Sequence, residues 1–133
     1  MTKPLTPAET VRSFIQCFNQ NRLEDALEYL AEDVFYHNIP LEPIVGREAT
    51  RAFMAEFDLG NSLRAEWEIL ALATDGETVL TERIDKFYRA GGPREGIPLM
   101  GSFRVQDGKI TVWRDYFDLT AFQNMVVLHT PRT

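Results

Sequence analysis

Residues 62–71 read SLRAEWEILA, and in this stretch the hydrophobic period of the chain changes from about 3.6 residues to 2. Apolar residues at positions 63, 65, 67, 69 and 71 alternate with polar residues at 62, 64, 66 and 68. Such alternation is typical of a β-strand with one buried face. Similar segments follow, separated by the hairpin signals Asp75-Gly76 and Asp107-Gly108. The later part of the chain is therefore predicted to form a meander of antiparallel strands.

The part of the chain before this stretch has the spacing of helices. Thr6-Pro7-Ala8-Glu9 is a capping box with proline at the first helical position, and it predicts where the first helix begins. The predicted helices extend from this box to about Gln20, through Leu23, Ala26, Leu27 and Leu30, and from Gly46 through Ala49, Phe53 and Phe57. The predicted strands cover 34–39, 63–71, 77–89, 96–105 and 109–118, and a short closing helix covers 120–125. Helices followed by a strand meander indicate an α+β domain with its helices on one face of a curved antiparallel sheet.

Length and composition narrow the class of protein. The chain has 133 residues, the usual size of one domain, so residues 1–133 are predicted to form a single domain. Its net charge of −6 and lack of a basic stripe argue against nucleic acid and anionic membranes as partners. No apolar run resembles a signal peptide or a membrane helix, and Cys17 is the single cysteine, so a reducing, cytoplasmic location is expected. The two histidines, His37 and His129, do not make a metal site.

Polar side chains interrupt the inner face of the predicted sheet. Residues 81–88 read TERIDKFY, and alternation places the arginine and aspartate of this stretch on one face with Val79 and Phe87, which have the character of core residues. The neighbouring predicted strands add further polar residues to their inward faces. The residues that this pattern brings into one concavity are Arg83, Asp85, Asp115, Tyr36 and Asn38.

Two aspartates and one arginine in an apolar pocket pose a charge problem. If both carboxyl groups ionise, the cluster carries a net charge of −1 in a medium of low dielectric constant. Burial and repulsion between like charges raise the pKa of one carboxyl, while the guanidinium holds the pKa of the other down. The expected state has one protonated and one ionised aspartate with the arginine between them, which supplies an acid and a base in one pocket. A structural ion pair that fixes strand register is the alternative for an Arg-x-Asp pattern alone.

Three segments carry a family resemblance. Tyr36-His37-Asn38, Arg83-Ile84-Asp85 and the run WRDYFD at 113–118 closely resemble limonene-1,2-epoxide hydrolase and its relatives. The likeness extends from about Thr6 to Phe122. It implies the nuclear-transport-factor-2-like cone, in which a strongly curved mixed sheet packs on N-terminal helices. It also implies a homodimer formed through sheet faces.

The same resemblance implies a mechanism and a set of site residues. In it, Asp85 protonates the epoxide oxygen, Asp115 takes a proton from water, and Arg83 bridges the two carboxyl groups. Tyr36 and Asn38 hold the water together with Asp115. Water attacks an epoxide carbon directly, with no covalent ester, no metal and no cofactor. The implied substrate-lining residues are Phe87, Ile97, Leu99, Phe117 and Phe122.

Two other functions remain open at the level of sequence. A ring-opening cyclase of polyether or polyketide type would use the same acid and base, with a substrate hydroxyl in place of water. A non-catalytic carrier of apolar ligands, or a dimerisation module, would leave the paired acids without a purpose. Ketosteroid isomerase chemistry needs one carboxylate base and an oxyanion hole, which an arginine between two aspartates fits poorly.

Four residues outside the cluster receive structural roles. Glu82 and Lys86 are predicted to pair on the opposite face of their strand. Asp118 is predicted to cap the closing helix. Cys17 is predicted to be a helix residue with a structural role and without a histidine partner.

Overall fold

The structure, a computed structural model, describes residues 3–129. Its helices are α1 (Pro7–Asn19), α2 (Leu23–Glu28), α3 (Arg47–Glu56) and α4 (Leu119–Gln123), followed by a 3-10 helix at Val126–His129. Its strands are β1 (Leu30–Ile39), β2 (Ile44–Val45), β3 (Arg64–Asp75), β4 (Thr78–Tyr88), β5 (Glu95–Gln106) and β6 (Lys109–Phe117). Each predicted helix and strand is present. Leu30 belongs to β1 rather than to the second helix, and β2 was not predicted because two residues are too few to show a period.

The strands form one mixed sheet. Their order is β2-β1-β6-β5-β4-β3, so the four strands from β3 to β6 form the antiparallel meander that the sequence predicts. The first strand pairs with the last one in parallel, from Leu30 beside Ile110 to Ile39 beside Tyr116. The mixed sheet that the family resemblance implied is therefore confirmed, whereas strand periodicity alone predicted an antiparallel sheet.

A bulge in β3 changes which residues face the core. The register between β3 and β4 shifts between Ile69 and Ala71, and beyond this point the inward alternation moves to Leu72. Leu70 and Ala71 are exposed. The prediction that Ala71 continues the buried face was therefore wrong, because an extra residue in one strand turns all later side chains to the other side.

Helix α1 covers one half of the inner face of the sheet. The hydroxyl Oγ1 of Thr6 accepts the N–H of Glu9 at 3.1 Å, and the Glu9 carboxylate accepts the N–H of Thr6 at 2.8 Å, so the predicted capping box begins the helix. Phe14 packs edge-on against Trp113 with ring centroids 5.0 Å apart. The buried residues of the helix are Thr10, Val11, Phe14, Ile15, Cys17 and Phe18. This half of the inner face is filled with side chains and forms the core.

The edge strand β3 is closed by a side chain of α1. Asn19 accepts the backbone N–H of Trp67 through Oδ1 at 2.6 Å and donates from Nδ2 to the carbonyl of Trp67 at 2.8 Å. The amide thereby satisfies main-chain groups on the free side of an edge strand. It also fixes Trp67, whose ring lies in the wall of the cavity described below.

Helix α3 packs over the other half of the sheet. Thr50 and Met54 are its buried residues, and Phe53 and Phe57 are half-buried against the core. Ala49 is exposed, so its prediction as part of the packed face of this helix was wrong. No helix within residues 3–129 is long and apolar enough to cross a membrane.

Candidate active site

The strand order brings the predicted site residues together. β6 lies between β1 and β5, and β5 lies between β6 and β4. The register of these strands places side by side Asn38, Asp115, Gly101 and Thr81. Arg83 follows on the inner face of β4, so its side chain needs to cross only one strand to reach β6.

Arg83 joins the two carboxyl groups. Its Nε and Nη2 donate to Oδ1 and Oδ2 of Asp85, both at 3.0 Å, and Nη2 also donates to Oδ1 of Asp115 at 3.2 Å. Arg83 is 0% exposed, Asp85 is 3% exposed and Asp115 is 4% exposed. The centre of the guanidinium lies 5.6 Å from the Trp67 ring and 5.7 Å from the Phe103 ring. The arginine bridge between two buried carboxyls is thus present in the structure.

The bridge depends on a glycine in the strand that it crosses. A Cβ atom on Gly101 would lie 2.3 Å from Nη1 of Arg83, 2.8 Å from Oδ1 of Asp115 and 2.9 Å from Oγ1 of Thr81. All of these distances are shorter than van der Waals contact. The sequence analysis assigned no role to Gly101, although a small residue among large inward neighbours was an available signal.

Burial dominates the protonation of the aspartate pair. It raises the pKa of Asp85 to about 6 against the opposing charge and hydrogen bonds of Arg83, and the Asp115 charge raises it further. Burial also raises the pKa of Asp115, again against the charge of Arg83. We had expected the guanidinium to hold one carboxyl pKa down, and this was wrong because desolvation exceeds its effect on both groups. The pair therefore retains a proton to a higher pH than isolated aspartates would.

The other two titratable groups of the cluster, Arg83 and Tyr36, keep their protons. Burial works against the charge of Arg83, but the Asp115 and Asp85 carboxylates outweigh it and hold the pKa of the guanidinium above its usual range. Burial and the Asp115 charge raise the pKa of Tyr36, so its phenol stays neutral. The Tyr36 hydroxyl donates to Oδ1 of Asn38 at 3.2 Å, which turns the amide nitrogen of Asn38 away from the phenol.

An apolar cavity opens above this cluster. Tyr36, Asn38, Asp85 and Asp115 are its polar wall. The five residues predicted to line a substrate pocket all lie in its wall: Phe87, Ile97, Leu99, Phe117 and Phe122. Sequence reasoning missed further lining residues, namely Leu41, Phe53, Met54, Phe57, Leu59, Leu63, Trp67 and Leu128. The aromatic spacing on α3 was a usable signal for two of these, whereas Leu128 follows the closing helix without any period.

The segment that carries Leu128 is held in place by two charged side chains. The carboxylate of Glu95 accepts the N–H of Val126 at 3.2 Å and the N–H of Val127 at 2.7 Å. Arg89 donates from Nε to the carbonyl of Val127 at 3.0 Å. Both side chains flank the turn between β4 and β5, so this turn positions the wall residue Leu128.

Of the structural roles predicted outside the cluster, one was wrong and the others are confirmed. Lys86 lies 4.0 Å from Glu66 of the neighbouring strand, so the predicted Glu82–Lys86 pair was wrong, because residues four apart on a strand are too distant to touch. Asp118 accepts the N–H of Ala121 at 3.1 Å and caps α4, as predicted. Cys17 lies on α1, as predicted, and is buried there. Within residues 3–129 no three His, Cys, Asp or Glu side chains are grouped to hold a metal ion.

The chain has the fold seen in solved structures of nuclear-transport-factor-2-like proteins. Within this fold, Arg83 joins two buried aspartates at the polar wall of an apolar cavity. The chain belongs to the limonene-1,2-epoxide hydrolase family, because residues 5–127 match the family described as limonene-1,2-epoxide hydrolase catalytic domain. It is 32% identical over 109 residues to epoxide hydrolase EphG of Mycobacterium tuberculosis (strain ATCC 25618 / H37Rv), which is 82% of this chain and 71% of that protein.

Solved structures agree with this assignment. An LEH-like epoxide hydrolase of M. tuberculosis superimposes with a TM-score of 0.77 at 29% identity, covering 90% of this chain and 89% of the other. A candidate polyketide cyclase from Xanthomonas campestris pv. campestris superimposes with a TM-score of 0.75 at 23% identity, covering 87% of this chain and 93% of the other. The second likeness shows the fold alone.

The raised pKa of the pair predicts how stability depends on pH. Asp85 has an ordinary pKa of 3.8 and a pKa of about 6 in the folded protein, so between these values the folded state binds more protons than the unfolded state. The free energy of unfolding gains a contribution below this window that is lost as the pH rises through about 6. The loss is up to about 3 kcal/mol, at about 1.4 kcal/mol for each pKa unit. Urea denaturation from about pH 4 to about pH 7 measures it.

The difference between wild type and Asp85→Asn isolates this contribution. The variant has no titrating group at this position, so its stability should fall less over the same pH window. Asp33→Asn, which changes an exposed aspartate of β1, serves as the control. A slope that is the same in wild type, Asp85→Asn and Asp115→Asn would show that the buried pair does not titrate there.

Gly101→Ala tests the room that the bridge needs. The added methyl group displaces Arg83 from its carboxyls, so the substitution should destabilise the protein by about 3 kcal/mol, as expected for overpacking combined with a disturbed buried ion pair. Gly92→Ala, in an exposed turn and without a positive φ, should change stability by less than about 1 kcal/mol. Thermal and urea denaturation give both values. Equal stability of Gly101→Ala and Gly92→Ala would contradict the proposed close fit.

Proposed function

We propose that this protein hydrolyses an apolar epoxide, terpene-like or cyclic, to a vicinal diol by one-step general acid/base attack of water. The observation that carries the proposal is the buried Arg83 joining Asp85 and Asp115 at the polar wall of an otherwise apolar cavity. An epoxide opens much faster at neutral pH if its oxygen is protonated as it leaves and the attacking water loses a proton. Each such proton transfer contributes about 10²–10⁴-fold to the rate.

In this proposal Asp85 is the acid that protonates the epoxide oxygen. This assignment rests on the family resemblance. Burial supports it, because it raises the pKa of Asp85 to about 6 and so favours a retained proton. Each carboxyl oxygen has two lone pairs, so Asp85 can carry a proton toward the cavity while it accepts both hydrogen bonds from Arg83.

Asp115 is the proposed base, and Tyr36 and Asn38 complete the water site. Arg83 contacts only one oxygen of Asp115, Oδ1, and this leaves Oδ2 out of the ion pair. Asn38 lies directly beside Asp115 in the register of β1 and β6, and the Tyr36 phenol fixes the amide of Asn38. Water that donates to Asp115 and accepts from Asn38 then attacks an epoxide carbon without forming an ester.

The cavity supports an apolar substrate. Away from the four polar residues its wall is aliphatic and aromatic, so a substrate with one epoxide oxygen and a hydrocarbon body fits it, and further charged groups would be left unpaired. Proton transfer by these side chains supplies the chemistry, and we propose no metal or cofactor. We place the reaction in a reducing, cytoplasmic location on the grounds of composition given above.

Diol formation from limonene 1,2-epoxide and cyclohexene oxide in chelator-treated buffer tests the reaction. Wild type should turn both over, and Asp85→Asn and Asp115→Asn should each lower the rate by about 10²–10⁴-fold while remaining folded. Asp33→Asn is the matched control, because it makes the same substitution at an exposed aspartate of β1. Single turnover in ¹⁸O-water should place ¹⁸O in the first diol formed, whereas an ester route would first deliver a carboxylate oxygen of the enzyme.

The outcomes separate the alternatives. If the first diol carries unlabelled oxygen, the reaction proceeds through a covalent ester and not by direct attack of water. Absence of turnover on these and a wider panel of epoxides would favour the cyclase or the carrier. Full activity in both Asp85→Asn and Asp115→Asn would show that these carboxyls do not take part in the reaction.

We also propose a homodimer formed through the outer face of the sheet. A shallow groove on that face is lined mostly by apolar residues, namely Leu70, Ile84, Pro98, Leu99, Met100 and Tyr116, together with Glu82 and the buried Arg83. Leu70, Met100 and Tyr116 are each about half-exposed, which is unusual for large apolar side chains gathered in one place. A second copy of the same face would cover the groove.

Sedimentation analysis of Met100→Asp tests this interface. Wild type should sediment as a dimer, and the variant should be monomeric at micromolar concentration. The new carboxylate lies opposite Glu82 in the register of β4 and β5, so pairing of the two faces would bury like charges without opposite partners. Leu5→Lys, which changes an exposed apolar residue before α1, should leave the dimer intact. A wild type that sediments as a monomer at every concentration would exclude the proposed dimer.

A further inference from the structure

Thr81 lies on the inner face of β4 two residues before Arg83, outside the wall of the cavity. It is 1% exposed and pairs with Gly101 of β5 in the strand register. Nη1 of Arg83 donates to Oγ1 of Thr81 at 2.9 Å. A guanidinium has no acceptor, so Oγ1 accepts from Arg83 and directs its own hydrogen to the carbonyl of Gly101 at 3.4 Å.

The hydroxyl of Thr81 takes the edge of the guanidinium that faces away from the carboxyls. The Nε and Nη2 of Arg83 donate to Asp85 and Asp115, while Nη1 donates to the hydroxyl oxygen of Thr81. Because Arg83 is fully buried, its N–H groups depend on partners within the protein. The planar fork is rigid, so a partner on one edge fixes the orientation of the other edges.

We propose that Thr81 is a positioning residue, whose hydroxyl holds the Arg83 guanidinium in the orientation that lets it contact both Asp85 and Asp115. Thr81 thereby sets the pH range over which the aspartate pair can act. It does so through Arg83 and without touching a substrate. The effect on catalysis rests on the proposed function, whereas the effect on the titration of the pair does not.

Few other groups can set this titration. Arg83 is the charged neighbour that lowers the pKa of both carboxyls, and Trp113 also lowers the pKa of Asp115. Tyr36 stays neutral, because burial and the aspartates raise its own pKa. The residues that β1, β3, β5 and β6 place on the inner face beside it are uncharged: Asn38, Trp67, Leu99, Gly101, Phe103 and Trp113. Helix α1 presents Phe14 and Phe18 to these aromatic rings. A change in the hydrogen bonds from Arg83 to the two carboxyls should therefore change the pH at which the aspartate pair titrates.

Thr81→Val and Thr81→Ser form the test. Valine keeps the shape and removes the acceptor, so Nη1 of Arg83 is left buried without a partner and the guanidinium shifts away from one carboxyl. Arg83 opposes the effect of burial on both carboxyl pKa values. Weaker contact between the guanidinium and the carboxyls should therefore move the titration of the pair to higher pH. Serine keeps the hydroxyl and should behave as wild type. Thr10→Val, which removes a buried hydroxyl from α1, controls for stability alone.

Two measurements keep this inference separate from the proposed reaction. Carbon-13 NMR of the aspartate carboxyl groups follows the titration without any substrate, and pH profiles of kcat and KM follow epoxide hydrolysis. Thr81→Val should move the NMR titration and the acid limb of kcat to higher pH and lower kcat at neutral pH by about tenfold, with KM changed by less than about twofold. Thr81→Ser and Thr10→Val should keep the wild-type values.

The two measurements distinguish failure of the proposed function from failure of the positioning role of Thr81. If wild type has no epoxide hydrolase activity but the NMR titration moves in Thr81→Val, the proposed function fails and the positioning role stands. If wild type is active and Thr81→Val titrates as wild type does, the positioning role is overturned. It is also overturned if Thr81→Ser is impaired as much as Thr81→Val, because the methyl group rather than the hydroxyl would then matter.

Discussion

The buried guanidinium of Arg83 is the constraint on which the site depends. A fully buried charge costs several kcal/mol in lost hydration, and the protein recovers this cost only if each edge of the group meets an acceptor. Arg83 meets Asp85 on its own strand, Asp115 two strands away and Thr81 on the remaining edge. The strand order from β4 to β6 and the missing side chain at Gly101 both follow from this need, because any other residue at the crossing would separate the charges.

The sheet divides its inner face between stability and chemistry. One half is covered by α1, whose aromatic residues pack against Trp113 and Trp67 and leave no space. The other half carries the cavity, which α3 and the segment around Leu128 cover incompletely. Arg83 lies at the boundary, with Trp67 and Phe103 near its guanidinium. The filled half thus holds the cluster rigid, and the open half gives a ligand access to the carboxyl groups.

Local pattern predicted most of this arrangement, and non-local geometry accounts for the rest. Alternation along single strands was enough to place Arg83, Asp85, Asp115, Tyr36 and Asn38 on inward faces, because strand periodicity depends only on neighbouring residues. Three features depended on other parts of the chain: the parallel pairing of β1 with β6, the bulge after Ile69, and the contact of Lys86 with Glu66. None of these leaves a periodic signal in the sequence. The same is true of Leu128, which reaches the cavity only because Glu95 and Arg89 hold its backbone neighbours.

The energetic cost of the cluster is itself an argument about its purpose. A buried ion pair is often no more stabilising than apolar side chains of similar volume, and here burial raises both carboxyl pKa values despite the arginine. The folded protein therefore carries groups that destabilise it as they ionise, in a place where leucine or valine would pack well. A role in strand register would need only one aspartate beside Arg83, since Asp85 already makes the two-point contact. The second carboxyl, Asp115, adds repulsion and leaves one oxygen outside the ion pair, and proton transfer in the cavity is the task for which that oxygen is suited.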